Sequence, residues 1–105
     1  MAYSLAEALQ ILKAHEPELR RRGVTHAAVF GSVARGEARA ASDIDILIDL
    51  APSKPIGLFD YAAIKLYIGD LYGIATLDGP IDVVNRKNLK PRLRDNISRD
   101  AIHAF

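Results

Sequence analysis

Gly31-Ser32-Val33-Ala34-Arg35-Gly36 and, a short stretch later, Ser42-Asp43-Ile44-Asp45-Ile46-Leu47-Ile48-Asp49 decide how this chain is read. The alternation of acid and isoleucine fits a strand, with Asp43 and Asp45 on one face and Ile44, Ile46 and Ile48 on the other. Two like charges side by side repel, more strongly beside a packed sheet than in water. A divalent cation is the simplest thing that removes that repulsion. The Gly-Ser pair closes a tight strand-to-helix turn, where free backbone N–H groups and the helix dipole hold phosphate oxygens. Carboxylates for a metal and amides for phosphates are complementary halves of one site, and they point to metal-dependent handling of a nucleoside triphosphate.

The rest of the chain bounds that reading. In 105 residues, half of them apolar, there is room for one core, so residues 1–105 are expected to form one domain with no separate substrate domain. The net charge of +1 gives no support for autonomous nucleic-acid binding. From Arg86 to Arg99, however, Arg86, Lys87, Lys90, Arg92, Arg94 and Arg99 outnumber Asp95, which makes this segment locally basic. Cysteine is absent, so metal ligands must come from carboxylates and the three histidines. No apolar run reaches the roughly 18 residues of a membrane span, and the N-terminus lacks the layout of a signal peptide. The expectation is a soluble, cytoplasmic protein without a membrane partner.

Ser4, with Glu7 as its capping-box partner, opens a helix on which Leu5, Leu9, Leu12 and Leu19 recur at helical spacing until Gly23. Thr25 to Phe30 reads as a buried strand running into Gly31, and Ser32 starts a short helix to about Arg39. Asp43 to Leu50 is the second strand. Pro52 and Pro55 break the chain before a helix from Gly57 to Leu71, whose broad apolar face includes Leu58, Ala62, Ile64, Leu66, Ile68 and Leu71. A turn at Asp78-Gly79-Pro80 leads to Ile81-Asp82-Val83-Val84, a third strand, and a basic helix follows from about Asn88 with Pro91 in its first turn. The order predicts a small α/β (α+β) fold, a mixed sheet of about three strands covered by helices. If the third strand lies beside the second, Asp82 joins Asp43 and Asp45.

Taken together, Gly31-Ser32-Val-Ala-Arg35-Gly36, Ser42-Asp43-Ile-Asp45 and Ile81-Asp82-Val-Val resemble the DNA polymerase β-like nucleotidyltransferase superfamily. Within it the chain is similar to the minimal nucleotidyltransferase group, the MntA-like antitoxins of HEPN toxin–antitoxin pairs, on Gly36-Glu-Ala-Arg39, Gly57-Leu-Phe-Asp60 and Leu89-Lys-Pro-Arg-Leu-Arg94. The resemblance covers nearly the whole chain. It implies the polymerase β palm-like fold, and a protein adenylyltransferase that moves AMP from ATP to a tyrosine hydroxyl of a cognate HEPN toxin and so silences it. It also implies that Gly31 and Ser32 hold the β- and γ-phosphates and that Asp43, Asp45 and Asp82 bind Mg²⁺, with Asp82 helping to deprotonate the acceptor. Two Mg²⁺ ions roughly 3.5–4 Å apart would serve such an in-line displacement. Val33 and Ala40-Ala41 stand where relatives carry more polar residues.

Simpler readings stand beside these. Alternating Asp and Ile is also an ordinary half-exposed strand, although Leu47 on the carboxylate face argues against a simply solvated surface. Asp49, roughly 13 Å beyond Asp45, reads as a strand-end polar residue. Arg35 either reaches phosphate or only packs and caps its helix. His15, His26 and His103 form no metal-spaced pair, Arg20-Arg21-Arg22 suits a helix C-terminus, and Phe59, Tyr61, Tyr67 and Tyr72 are spaced for packing. A non-catalytic toxin-binding antitoxin, and a nucleotidyltransferase acting on a small molecule or RNA, are the alternative functions. A chain this short that grips ATP has little surface left to select a second substrate, which favours an acceptor presented by a partner in a hetero-oligomer.

Overall fold

The computed structural model describes residues 3–37, 43–74 and 80–105. Helices α1 (Leu5–Ala14) and α2 (Glu16–Arg21) precede strand β1 (Val24–Phe30), the short α3 (Gly31–Ala34), β2 (Ile44–Leu50), α4 (Leu58–Leu71), β3 (Ile81–Asn85), α5 (Pro91–Asp100) and β4 (Ile102–His103). Ser4 caps α1 as its sequence requires: the Glu7 N–H donates to Ser4 Oγ at 3.1 Å, and the Ser4 N–H donates to Glu7 Oε1 at 3.0 Å. The single helix expected to run to Gly23 is instead two, broken at His15. Pro17 occupies the first turn of α2, where its missing N–H costs nothing, whereas inside a continuous helix it would have removed a bond and clashed.

Among the described residues the sheet runs in the order β3-β2-β1-β4, four strands where about three were expected. The added strand, Ile102–His103, is two residues long and pairs antiparallel with β1 at Ala28 and Val29. Strand β1 is antiparallel to β2, whereas β2 and β3 are parallel, so the sheet is mixed. A parallel pair needs a crossover, and α4 provides it. On one face Val24, Ala27, Val29, Ile44, Ile46, Ile48, Ile81 and Val83 pack against Ala8, Leu12 and Leu19 of α1 and α2 and against Ile64 and Ile68 of α4. Each fully buried Leu, Ile or Val contributes about 1.5–3 kcal/mol relative to exposure. Tyr72, fully buried, seats this layer: its hydroxyl donates to the Ala8 carbonyl at 2.7 Å.

The opposite face carries Asp45, Leu47 and Asp49. Leu47 and Ala28 are fully buried there, and α5 packs across β1 and against α3. Asp49 is engaged as an ordinary polar residue: Arg86 Nε lies 3.1 Å from its Oδ1, an ion pair without hydrogen-bond geometry. The basic helix begins at Pro91, later than Asn88, because Arg86–Asn88 form a 3-10 turn capped by Asn85. The apolar face of α4 is narrower than its composition implies. Ile64 and Ile68 are buried, but Leu58 is 79% and Phe59 87% exposed, so neither packs as its spacing suggested. The expected turn residues Asp78 and Gly79, together with Ala38, Arg39, Ala40, Ala41 and Ser42, lie outside the described residues.

Candidate active site

Because β1 and β2 are antiparallel, the end of one meets the start of the other. Phe30 is the register partner of Asp45, and the next residue is Gly31. Gly31 has φ +74°, a region that strains any residue with a Cβ. A Cβ there would also overlap the Asp45 carboxylate, lying 3.1 Å from its Cγ. The backbone of the turn and the acid are therefore in direct approach. Phe30, the N-cap of α3, places no side-chain acceptor on the first amides of the helix, which have no intrahelical partners. Ser32 sits half-buried in that first turn. The short helix ends at Ala34, with Arg35 as its C-cap and Gly36 at φ +72°, so the part of the expected helix up to Glu37 is absent.

Asp45 and Asp82 are register partners across the parallel β2–β3 pair. This is the adjacency that the sequence left conditional. Asp43 lies just before β2 and is exposed, Asp45 is half-buried, and Asp82 is exposed on the outer strand. Burial, followed by the charges of Asp82 and then Asp43, pushes the Asp45 carboxyl above its ordinary value, with Arg35 opposing. Arg35 itself is turned toward Glu37, its Nε donating to Glu37 Oε1 at 3.0 Å. Glu37 foremost, then Asp100 and Asp45, hold it protonated.

Two neighbours of the site were not anticipated from the sequence. Asn96, Ile97 and Asp100 of α5 join Phe30, Gly31 and Arg35 around a groove of about 200 Å³. Their spacing marks one helix face but gives no sign of which strand it covers. Tyr61 reaches β3 from α4 and hydrogen-bonds its backbone beyond Asp82. A larger hollow of about 530 Å³ lies between α1 and the chain end, lined by Leu9, Gln10, Lys13, Ala14, His103 and Ala104. It contains no carboxylate and no phosphate-type turn, so chemistry rather than volume singles out the site at Asp45.

Among the described residues, no three His, Asp or Glu side chains are gathered so as to hold a metal ion by themselves. Mg²⁺ does not require such a cage, since it keeps several waters and takes one or two carboxylates plus substrate phosphates. The paired hard oxygens of Asp45 and Asp82, with Asp43 beside them and a phosphate-type turn in contact, fit that coordination habit.

Residues 7–103 match the model of the nucleotidyltransferase domain. The chain belongs to this family. The Protein adenylyltransferase MntA of Thermococcus cleftensis is 36% identical over 103 residues, covering 95% of each chain. A solved structure described as a candidate minimal nucleotidyltransferase has a TM-score of 0.75 at 36% identity, again over 95% of both chains. A chain of the complex between tri-AMPylated Shewanella oneidensis HEPN toxin and MNT antitoxin shares the fold, at 13% identity and a TM-score of 0.60, over 92% of this chain and 71% of that one. In this nucleotidyltransferase, Gly31, Ser32, Asp43, Asp45 and Asp82 all lie among the described residues. No described helix is long and apolar enough to cross a membrane.

Proposed function

We propose that this nucleotidyltransferase is a cytoplasmic antitoxin that transfers AMP from ATP, with Mg²⁺, to a tyrosine hydroxyl of a cognate HEPN-domain toxin. The observation that carries this reading is the register pairing of Asp45 with Asp82, with Gly31 packed directly against Asp45. The relative named as a protein adenylyltransferase, matched over nearly its full length, supports the choice of AMP and of a protein acceptor.

Asp45 and Asp82 would hold the cation, with Asp43 adding its charge beside Asp45. Bound Mg²⁺ supplies charge neutralisation at the phosphates. The uncapped first amides of α3, at Gly31 and Ser32, receive the β- and γ-phosphates, and Arg35 reaches the same phosphates on leaving Glu37. This leaves the α-phosphorus facing the acids. Asp82, exposed on the outer strand, accepts the proton of the acceptor hydroxyl as the new oxygen–phosphorus bond forms. The bond from the α-phosphorus to the bridging oxygen breaks, and pyrophosphate leaves with its charge against the α3 amides. The AMP remains on the acceptor.

The test is to incubate the protein with its HEPN partner, Mg²⁺ and α-labelled ATP, comparing wild type with Asp43→Ala/Asp45→Ala. Label on the toxin that vanishes with the double variant supports transfer. Toxin neutralised equally by both proteins, without label, makes the protein a binding antitoxin and ends this reading.

A further inference from the structure

We propose that Tyr61 is a positioning residue for Asp82: its hydroxyl completes the unpaired edge of β3 and thereby holds that acid in register with Asp45. The inference rests on the reading of Asp82 given above and adds a residue from outside the acid and phosphate groups.

Among the described residues, strand β3 is the last in the sheet, and only one of its edges is paired, by β2. Along the other edge the backbone groups of Val83 and Asn85 point outward. There the Tyr61 hydroxyl does the work of a neighbouring strand. The Asn85 N–H donates to it at 3.1 Å, and it donates to the Val83 carbonyl at 3.3 Å. A hydroxyl can accept and donate at once, which is what the two groups need, and the rigid ring delivers it from α4. Asp82 immediately precedes the bonded segment and is itself exposed, with no described side chain hydrogen-bonded to it. Its placement therefore depends on its backbone. That backbone is fixed by its register with β2, and the segment that directly follows it is fixed by Tyr61. The same clasp extends forward, because the Asn85 side chain accepts from the Lys87 N–H at 3.1 Å and so leads β3 into the turn before α5.

A short edge strand without this clasp frays and twists more freely. The loss should appear where two acids must act at a fixed separation, since misplacing a catalytic group by ~1 Å can cost up to about a hundredfold in rate. Tyr61→Phe keeps the ring and deletes both bonds. Tyr72→Phe is the matched control: it deletes a buried hydroxyl bond from the residue that caps the end of the same helix, to the Ala8 carbonyl, away from the acids.

Three quantities are compared among wild type, Tyr61→Phe and Tyr72→Phe: thermal stability, kcat and KM for ATP in toxin labelling, and the Mg²⁺ concentration giving half-maximal binding of a non-hydrolysable ATP analogue. The expected result for Tyr61→Phe is a kcat lowered about tenfold or more, KM for ATP within about twofold of wild type, and a raised half-saturating Mg²⁺. Tyr72→Phe loses at least as much stability and keeps kcat and Mg²⁺ dependence. Unchanged kcat and Mg²⁺ dependence in Tyr61→Phe, or equal losses in both variants, overturns the proposal. If wild type labels no toxin, the transferase reading fails instead, and the Mg²⁺ titration alone still reports whether Tyr61 holds Asp82.

Discussion

Gly31 and Asp45 approach so closely that the glycine's missing side chain is the space the carboxylate occupies. Adding a methyl group there collides with the acid and also forces an L-residue into positive φ. Gly31→Ala is therefore expected to destabilise by about 1–3 kcal/mol and to abolish ATP binding. Removing the acid as well, in Gly31→Ala/Asp45→Ala, should recover part of the stability and none of the binding. Denaturant unfolding of the four proteins of that cycle reads the coupling directly, and additive losses would contradict the contact.

Asp45 has the opposite relation to stability. Because burial, Asp82 and Asp43 raise its carboxyl, the folded state binds the proton more tightly than the unfolded one. The stability this brings is complete below the ordinary Asp value, about 4, and is lost as pH rises through the raised value. At neutral pH the ionised side chain thus opposes folding. Asp45→Asn, which stays neutral, is expected to raise Tm of the metal-free protein at pH 7 by roughly a few degrees, solvent screening keeping the gain small. That difference from wild type should shrink as pH falls toward 4, while transfer is abolished at every pH. A variant no more stable than wild type at pH 7 would count against the strained pair.

Asp45 and Asp82 should behave as one unit in catalysis. Asp45→Ala and Asp82→Ala are each expected to reduce labelling to background, with the double variant no worse than either alone. Circular dichroism should find all three folded, since neither side chain belongs to the core. Substantial activity in Asp82→Ala would remove Asp82 from the mechanism.

Arg35 is paired with Glu37. If it transfers to phosphate when ATP binds, Arg35→Ala should weaken ATP binding about tenfold, whereas Glu37→Gln should leave it equal or tighter. Calorimetric titration separates these outcomes, and equal affinity in Arg35→Ala would assign the arginine to packing alone.

Much of this architecture was legible because local chemistry dictated it. The capping box at Ser4, the alternation from Asp43 to Asp49 and the punctuation by Gly31 and Pro91 each act within a few residues, and each element formed close to where they place it. Apart from the break at His15, what escaped depends on partners distant in sequence. Leucine spacing continues through His15, so periodicity alone carries α1 past the break that Pro17 imposes. Phe59 looks like core by composition yet stands in solvent, because the register of α4 against the sheet turns Ile64 and Ile68 inward. Strand β4 is only two residues long and exists because β1 offers it an edge. In the site, the turn and Asp43-Ile-Asp45 could be read locally. The pairing with Asp82, the clasp by Tyr61 and the approach of Asp100 could not, since nothing within five residues of Asp82 says which strand lies beside it.

Strand β3 is outermost in the sheet, and Asp82 is exposed upon it. A cleft roofed on both sides limits its substrates by bulk, because whatever reacts must first fit inside. Here, among the described residues, no further strand flanks the acid's outer side, so on the proposed reading the acceptor hydroxyl can be carried on a large body. Selection then falls to the surface that carries the hydroxyl rather than to the width of an entrance.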